Sequence, residues 1–473
     1  MKKIFVFSMA IAAGLILSNC KGKQKSVAKG VVVYRETADP DMLNPINSSS
    51  ANATIVNDLI FGGIQGMNPQ TFDLTNVLLK GAPVVEEIKE GEFKGGMKIN
   101  FEFKDDAKWD NGTPVTGDDY LFTIKSIINP KTNCEHLKGY YSWLGDIQLD
   151  STNNRKITVF CKEQYFKITE FAFYRCLPEY VYDPQKIMRK FTIKDLMTNA
   201  EKLKGDADII KFAEEFNSEK YQRDTAFISG FGPYKLEKWV TGQEIVIKRK
   251  ANWWGDKYAD QRDFWAYPDK IVLKVIPDNN TAFTALKDDK LSAYDGIDAK
   301  RFKELEGNKS FVDKFNLVRK DRLSYSYLGF NMRKEKLKDV RVRKAIAHAI
   351  DRDQINKTIS NGEGTLANTF VHAVQTKFIN TDIKPVTYDV EMAKTLLTEA
   401  GWADTDGDGF LDKNKQKFNL DIKMPSGNDI AKQQALMYKE QLRKVGIDLN
   451  IVEREWTVYL QEMDKFDFEL NMG

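Results

Sequence analysis

The residues best spaced for chemistry are carboxylates. Asp404-Thr405-Asp406-Gly407-Asp408-Gly409-Phe410-Leu411-Asp412 places oxygen ligands at every second position, with Gly409 at the sharp turn, as in a calcium loop. Such a loop closes with a bidentate acid at its twelfth position, and Lys415 stands there, so the stretch reads as a solvated turn between a helix and a strand. Gly362-Glu363-Gly364-Thr365-Leu366-Ala367 fits a loose dinucleotide pattern, but it follows a helical run, whereas a phosphate needs the N-terminus of a helix that opens after a strand. His136, His348 and His372 lie far apart, and no G-x-S-x-G, H-E-x-x-H or P-loop pattern occurs. An exported hydrolase with an α/β core is supported only by size and by acid pairs such as Asp105-Asp106, and such pairs more often sit in a solvated turn. The sequence therefore reads as a non-enzyme that calls for neither metal nor cofactor.

Cysteine chemistry points to the N-terminus. Lys2 and Lys3 precede an apolar run from Ile4 to Leu17, built like a signal peptide and too short to span a bilayer comfortably. It ends at Leu17-Ser18-Asn19-Cys20, which resembles a lipoprotein cleavage box, with Asn19 where Gly or Ala is usual. Residues 1–19 are then the signal peptide, Cys20 the acylated residue, and 20–30 a lipidated tether rich in lysine. Removing residues 1–19 takes two of the 71 basic residues against 68 acidic ones, leaving a net charge of +1. That balance excludes the electrostatic footprint of a nucleic-acid binder. Cys134, Cys161 and Cys176 remain, an odd number without Cys-x-x-Cys spacing, and read as isolated buried thiols.

The elements that would position any site follow from periodicity. Within Ser229–Asp256, Tyr234, Leu236 and Trp239 mark one strand, Ile245 and Ile247 a second, and Thr241-Gly242-Gln243 the turn between them, with Trp253 and Trp254 as an aromatic tail. Gly230 and Gly232 let the backbone turn tightly into this hairpin. Met97–Phe103, Ile157–Cys161, Ile271–Val275, Tyr325–Met332 and Ile447–Ile451 alternate as strands. Helices are expected over Ala53–Phe61, after the Thr116/Asp119 capping box, over Val340 to about Ile359, after Asp389, and over Ile430–Val445. The charged stretch Ile193–Tyr221 reads as surface helices. Strands interleaved with helices over 473 residues, 42% of them hydrophobic and 29% charged, describe a mixed α/β (α+β) protein of two or three domains.

Order and spacing add a resemblance. Gly230-Phe231-Gly232-Pro233-Tyr234, Asn252-Trp253-Trp254-Gly255, Asp110-Asn111-Gly112-Thr113-Pro114-Val115-Thr116, and Val340-Arg341-Val342-Arg343-Lys344-Ala345 with Ala349-Ile350-Asp351-Arg352 resemble, in the same order, segments of bacterial family 5 extracellular solute-binding proteins, the peptide-binding components of ABC importers. The resemblance implies a two-lobe periplasmic binding protein type II-like fold with an inserted subdomain: lobe I from 31–58 and 178–285, the subdomain from 59–177, and lobe II from 286–473. It implies capture of a peptide or other small solute between the lobes and delivery to a permease, by a monomer held to a membrane through Cys20, outside the cytoplasm. Asn44, Phe231, Tyr325, Tyr327 and Asn331 are the expected ligand contacts, because they fall in segments resembling those that meet at the family's hinge. A binding protein that signals to a receptor is the alternative within this class. The final run, Phe466 to Gly473, alternates like a strand that needs a partner, and the resemblance implies further chain, including a carboxylate for the ligand's α-ammonium group.

Overall fold

The computed structural model describes residues 30–69, 72–165, 168–319, 324–375 and 378–473, so Cys20 and the lysine-rich tether lie outside the described residues. The chain forms two compact units that part between Tyr294 and Asp295.

In the first unit the predicted hairpin forms, with Tyr234–Val240 antiparallel to Glu244–Arg249 and a bulge between Leu236 and Lys238. Glu244–Arg249 pairs with Lys270–Val275, which pairs in parallel with Val31–Glu36, giving a four-stranded mixed sheet. A second sheet is wholly antiparallel, in the order Val84–Glu87, Met97–Glu102, Lys156–Cys161, Leu144–Leu149. Alternation buries Ile99, Phe101, Ile157, Val159 and Cys161 on one face of this sheet. Helix Gly117–Ile128 opens where expected, with Asp119 Oδ2 accepting the Thr116 amide at 3.0 Å, and buries Tyr120, Ile124, Ile127 and Ile128. Phe101 meets Tyr120 edge-on at 5.3 Å and Phe173 at 4.8 Å.

The charged stretch after Phe191 does more than cover the surface. Helix Ala207–Phe216 turns Ile209, Phe212, Ala213 and Phe216 inward, where Phe216 and Tyr221 pack on Tyr182 at 5.7 and 4.9 Å. The run is amphipathic, and its many Lys and Glu residues occupy only the outer face.

The second unit carries a four-stranded sheet in the order Leu328–Phe330, Leu470–Met472, Asn419–Pro425, Asp448–Arg454. Helix Asp429–Arg443 joins the parallel strands Asn419–Pro425 and Asp448–Arg454. The helix expected over Val340–Ile359 is two helices, Val340–Ala349 and Arg352–Ile359, because Asp351 turns extended and its Oδ1 accepts the Gln354 amide at 2.8 Å, capping a new start. The strand expected over Tyr325–Met332 shortens to Leu328–Phe330. Buried Leu397, Trp402, Phe418, Ile422 and Leu442 belong to this unit's core, with Trp402 stacked on Phe418 at 4.0 Å.

Candidate functional site

In the first unit three of the signature segments converge. Gly230 and Gly232 have negative φ; glycine is required there by close approach, since a Cβ on Gly232 would lie 2.7 Å from the Ile60 carbonyl oxygen that accepts the Gly232 amide at 2.9 Å. Phe231, 1% exposed, packs edge-on against Trp109 at 5.7 Å. After the hairpin Asn252 adopts φ 53°, and both Trp253 Nε1 and Trp254 Nε1 donate to the Phe231 carbonyl at 2.8 Å. Lys250 Nζ donates to the Gly230 carbonyl at 2.7 Å and pairs with Asp110 at 2.5 Å, while Ser229 Oγ donates to the same Asp110 at 3.0 Å. Spacing alone did not indicate that the Asp110 and Asn252 segments touch; the signal was a lysine two residues before Asn252, facing an acid far away in the chain.

The segment around Asn44 is held by side-chain hydrogen bonds. Asn44 is fully buried; its Oδ1 accepts the Ile46 amide at 3.0 Å and its Nδ2 donates to the Phe216 carbonyl at 3.4 Å. Trp239 Nε1 donates to Asp39 at 2.8 Å, and Asn52 Nδ2 donates to Glu36 at 2.5 Å. Asn44 and Phe231 thus hold backbone turns in place, with their side chains enclosed.

Asp119 is the most perturbed carboxyl of this unit, pushed up to about 6 by burial although it accepts from Trp109 Nε1 at 3.1 Å, the Thr116 amide and the Glu179 amide at 3.1 Å. Burial pushes the Cys134 and Cys161 thiols up to about 12, and with Cys176 they are free and enclosed, so the described cysteines are inert thiols.

In the second unit Tyr325 and Tyr327 are 49% and 45% exposed, their rings 5.7 Å apart. They precede the edge strand Leu328–Phe330, which among the described residues pairs with Leu470–Met472 alone. Asn331, 5% exposed, donates through Nδ2 to the carbonyls of Phe466 at 2.9 Å and Phe468 at 2.8 Å, and accepts the Arg333 amide at 3.1 Å. It clamps the two strands together, and the tyrosines stand outside that clamp. In the acidic turn, Asp404, Asp406 and Asp412 bring carboxylate oxygens within 4.8 Å of one another. Asp404 accepts the Gly407 and Gly409 amides at 2.8 and 3.0 Å, the pattern of a self-bonded exposed turn.

The sequence matches the bacterial extracellular solute-binding proteins, family 5, over residues 88–473. The chain belongs to this family. The oligopeptide-binding protein AppA of Bacillus subtilis (strain 168) is 27% identical over 483 aligned residues, covering 98% of this chain and 79% of that protein. The structure of AppA in complex with a nonapeptide matches with a TM-score of 0.75 at 24% identity, over 95% of this chain and 80% of that one. NikZ from Campylobacter jejuni in complex with Ni(L-His) matches with a TM-score of 0.70 at 20% identity, over 94% of this chain and 77% of that one. The fold is accordingly the mixed α/β fold of the two-lobe solute-binding proteins. Family 5 proteins are extracellular and bind solutes without transforming them, so the chain is a substrate-binding protein and not an enzyme. No helix among the described residues is long and apolar enough to cross a membrane.

Proposed function

We propose that this family 5 protein captures a peptide or similar small solute between two lobes and delivers it to the permease of an ABC importer. In this reading lobe I comprises 31–58 and 178–285, the inserted subdomain 59–177, and lobe II 286–473. The observation that carries it is the half-exposed Tyr325–Tyr327 pair leading into a sheet-edge strand. An extended peptide adds to such an edge through its main chain, while flat aromatic walls tolerate varied side chains. Tyr325 and Tyr327 contact the ligand, and Asn44, Phe231 and Asn331 hold the turns and strands behind the contact surface. The name of AppA as an oligopeptide-binding protein supports a peptide over the other solutes carried by relatives.

Mass spectrometry of ligand released by denaturing protein purified from its host should show short peptides. Release of a metal chelate or a sugar, together with no peptide binding in calorimetry, would remove the peptide reading. The same proposal ties the protein to a membrane through a lipid on Cys20. Cys20→Ala should move it from the membrane fraction to the soluble one, and an unchanged partition would sink the anchor without touching ligand capture.

A further inference from the structure

The chain enters the first unit at Gly30, whose carbonyl accepts the amides of Asp269 at 2.8 Å and Lys270 at 3.3 Å. Just before Asp269 stand Trp265 and Tyr267, 51% and 76% exposed, with their rings 5.8 Å apart. A lone exposed apolar side chain needs no explanation, but here an indole and a phenol lie together beside the entry point of the chain. Trp265 is also the one exposed tryptophan of the eight in the chain, all of which fall among the described residues.

The pair is displayed by a fixed loop. Phe264 and Ala266 are buried, and the extended backbone at Trp265 turns the intervening ring outward, as it does Tyr267 on the far side of Ala266. Arg249 Nε donates to the Ala266 carbonyl at 2.6 Å, the Tyr234 hydroxyl to the Pro268 carbonyl at 3.0 Å, and Trp265 Nε1 to the Ala259 carbonyl at 3.1 Å. Little backbone freedom is left to lose when the rings meet a partner.

Place and charge identify that partner. Ten residues join Cys20 to Gly30 and reach at most about 35 Å, so a lipid on Cys20 keeps a bilayer within reach of the pair. Indole and phenol rings settle where headgroups meet hydrocarbon, because one end is apolar and the other hydrogen-bonds. The loop itself carries Asp260, Asp263 and Asp269 against Arg262, a balance that draws no polyanion. Lys21, Lys23, Lys25 and Lys29 of the tether offset those acids, so an anionic leaflet does not repel the loop. Since the anchor raises the local concentration, a contact too weak to recruit free protein is enough to seat it.

We infer that Trp265 and Tyr267 rest in the headgroup region of the bilayer that holds the anchor, and so fix which face of the first unit lies against the membrane. The inference rests on the reading of Cys20 as the anchored residue.

Residues 20–473, joined through Cys20 to a maleimide-bearing lipid in phosphatidylcholine vesicles, test it; Cys134, Cys161 and Cys176 are enclosed and do not compete for the reagent. The linkage is chemical, so this test can fail while the host still acylates Cys20, which the partition of Cys20→Ala reads separately. Tryptophan emission should fall when the acyl chains are brominated close to the headgroup, at low and high salt alike, and Trp265→Phe should abolish the fall. Tyr267→Ser keeps the reporter and should at least halve the fall, with an unchanged melting temperature because the side chain is mostly exposed. No quenching of the wild type overturns the inference, and the pair then faces the tether or a protein. Quenching that survives Trp265→Phe overturns it, since another tryptophan then meets the lipid. Quenching untouched by Tyr267→Ser overturns the joint contact, and quenching lost on raising salt assigns the docking to the tether lysines instead.

Discussion

In the first unit Trp109, Trp253 and Trp254 direct their indole N–H groups to Asp119 or to the carbonyl of the buried Phe231, with the Trp109 and Trp253 rings enclosed, whereas in the second Tyr325 and Tyr327 lie outside the core, about half exposed. Both regions are aromatic, and both lie within residues 88–473, the stretch that matches the family. The difference teaches that this stretch holds two kinds of aromatic residue. Gly230 and Gly232 press against the Ile60 carbonyl, and Lys250 ties the Gly230 carbonyl to Asp110, so these residues build the frame, while the tyrosines leave surface open beside a strand edge. A substitution in the frame should cost stability first; one at the tyrosines should cost affinity first.

The largest expected effect is at Trp253. Replacing it with Ala removes a buried indole and its bond to the Phe231 carbonyl, a loss of about 3–5 kcal/mol in unfolding free energy. Chemical denaturation reads it directly. A loss below about 1 kcal/mol would mean that the tryptophan pair is not a pillar of the frame.

Much of this contrast was legible in the sequence. Strand alternation at Tyr234–Val240 and Lys156–Cys161, and the capping box at Thr116, became real elements because periods of 2 and 3.6 follow from backbone geometry alone. The break at Ile350 was missed because the apolar spacing of Val342, Ile346 and Ala349 continues smoothly into Ile350, and only the capping chemistry of Asp351 reveals a second start. The reason for Gly230 and Gly232 was also hidden: a sequence shows that a glycine is present, but not that the Ile60 carbonyl presses against it. Asn331 was singled out by the resemblance of its segment to the family's, yet its bonds to the Phe466 and Phe468 carbonyls depend on a pairing more than a hundred residues away in sequence, which local pattern does not encode.

The frame should also show in the pH dependence of stability. Asp119 ionises near 6 when folded and near 3.8 as a free side chain, so between these values the folded state holds a proton that the unfolded state has released. Its stabilising contribution is complete below about pH 4 and is lost as pH rises through about 6, a change of about 3 kcal/mol from the 1.36 kcal/mol carried by each pKa unit. Other carboxylates work in the opposite direction, so the wild type must be compared with Asp119→Asn. The difference, wild type minus variant, should grow by about 2 kcal/mol as pH falls from 6.5 to 4. A flat difference would show that the hydrogen bonds to this carboxylate fully offset its burial.

In the second unit the clamp rather than the tyrosines should carry stability. Asn331→Ala leaves the Phe466 and Phe468 carbonyls without their donor and should cost about 2 kcal/mol. If thermal unfolding resolves the two units, the transition of the second should move and that of the first should not. Movement of the first alone would contradict the assignment of Asn331 to the second unit's sheet.

The smallest expected change in stability, and the sharpest test of the comparison, is at Tyr327. Its ring is 45% exposed and meets Tyr325 at 5.7 Å, so Tyr327→Ala forfeits only part of a ring's burial and should change unfolding free energy by about 1 kcal/mol. Its main-chain amide bonds the Gly473 carbonyl at 2.9 Å whichever side chain is present, which protects the strand edge from the substitution. If the ring closes over a ligand, the same change should weaken binding by about 1–3 kcal/mol, because an aromatic desolvated by a partner contributes far more than one left in water. Calorimetry with the peptide recovered from the purified protein separates the two quantities. Unchanged affinity with lowered stability would place Tyr327 in the frame beside Asn331 and erase the distinction between the two regions at the point where it is drawn most finely.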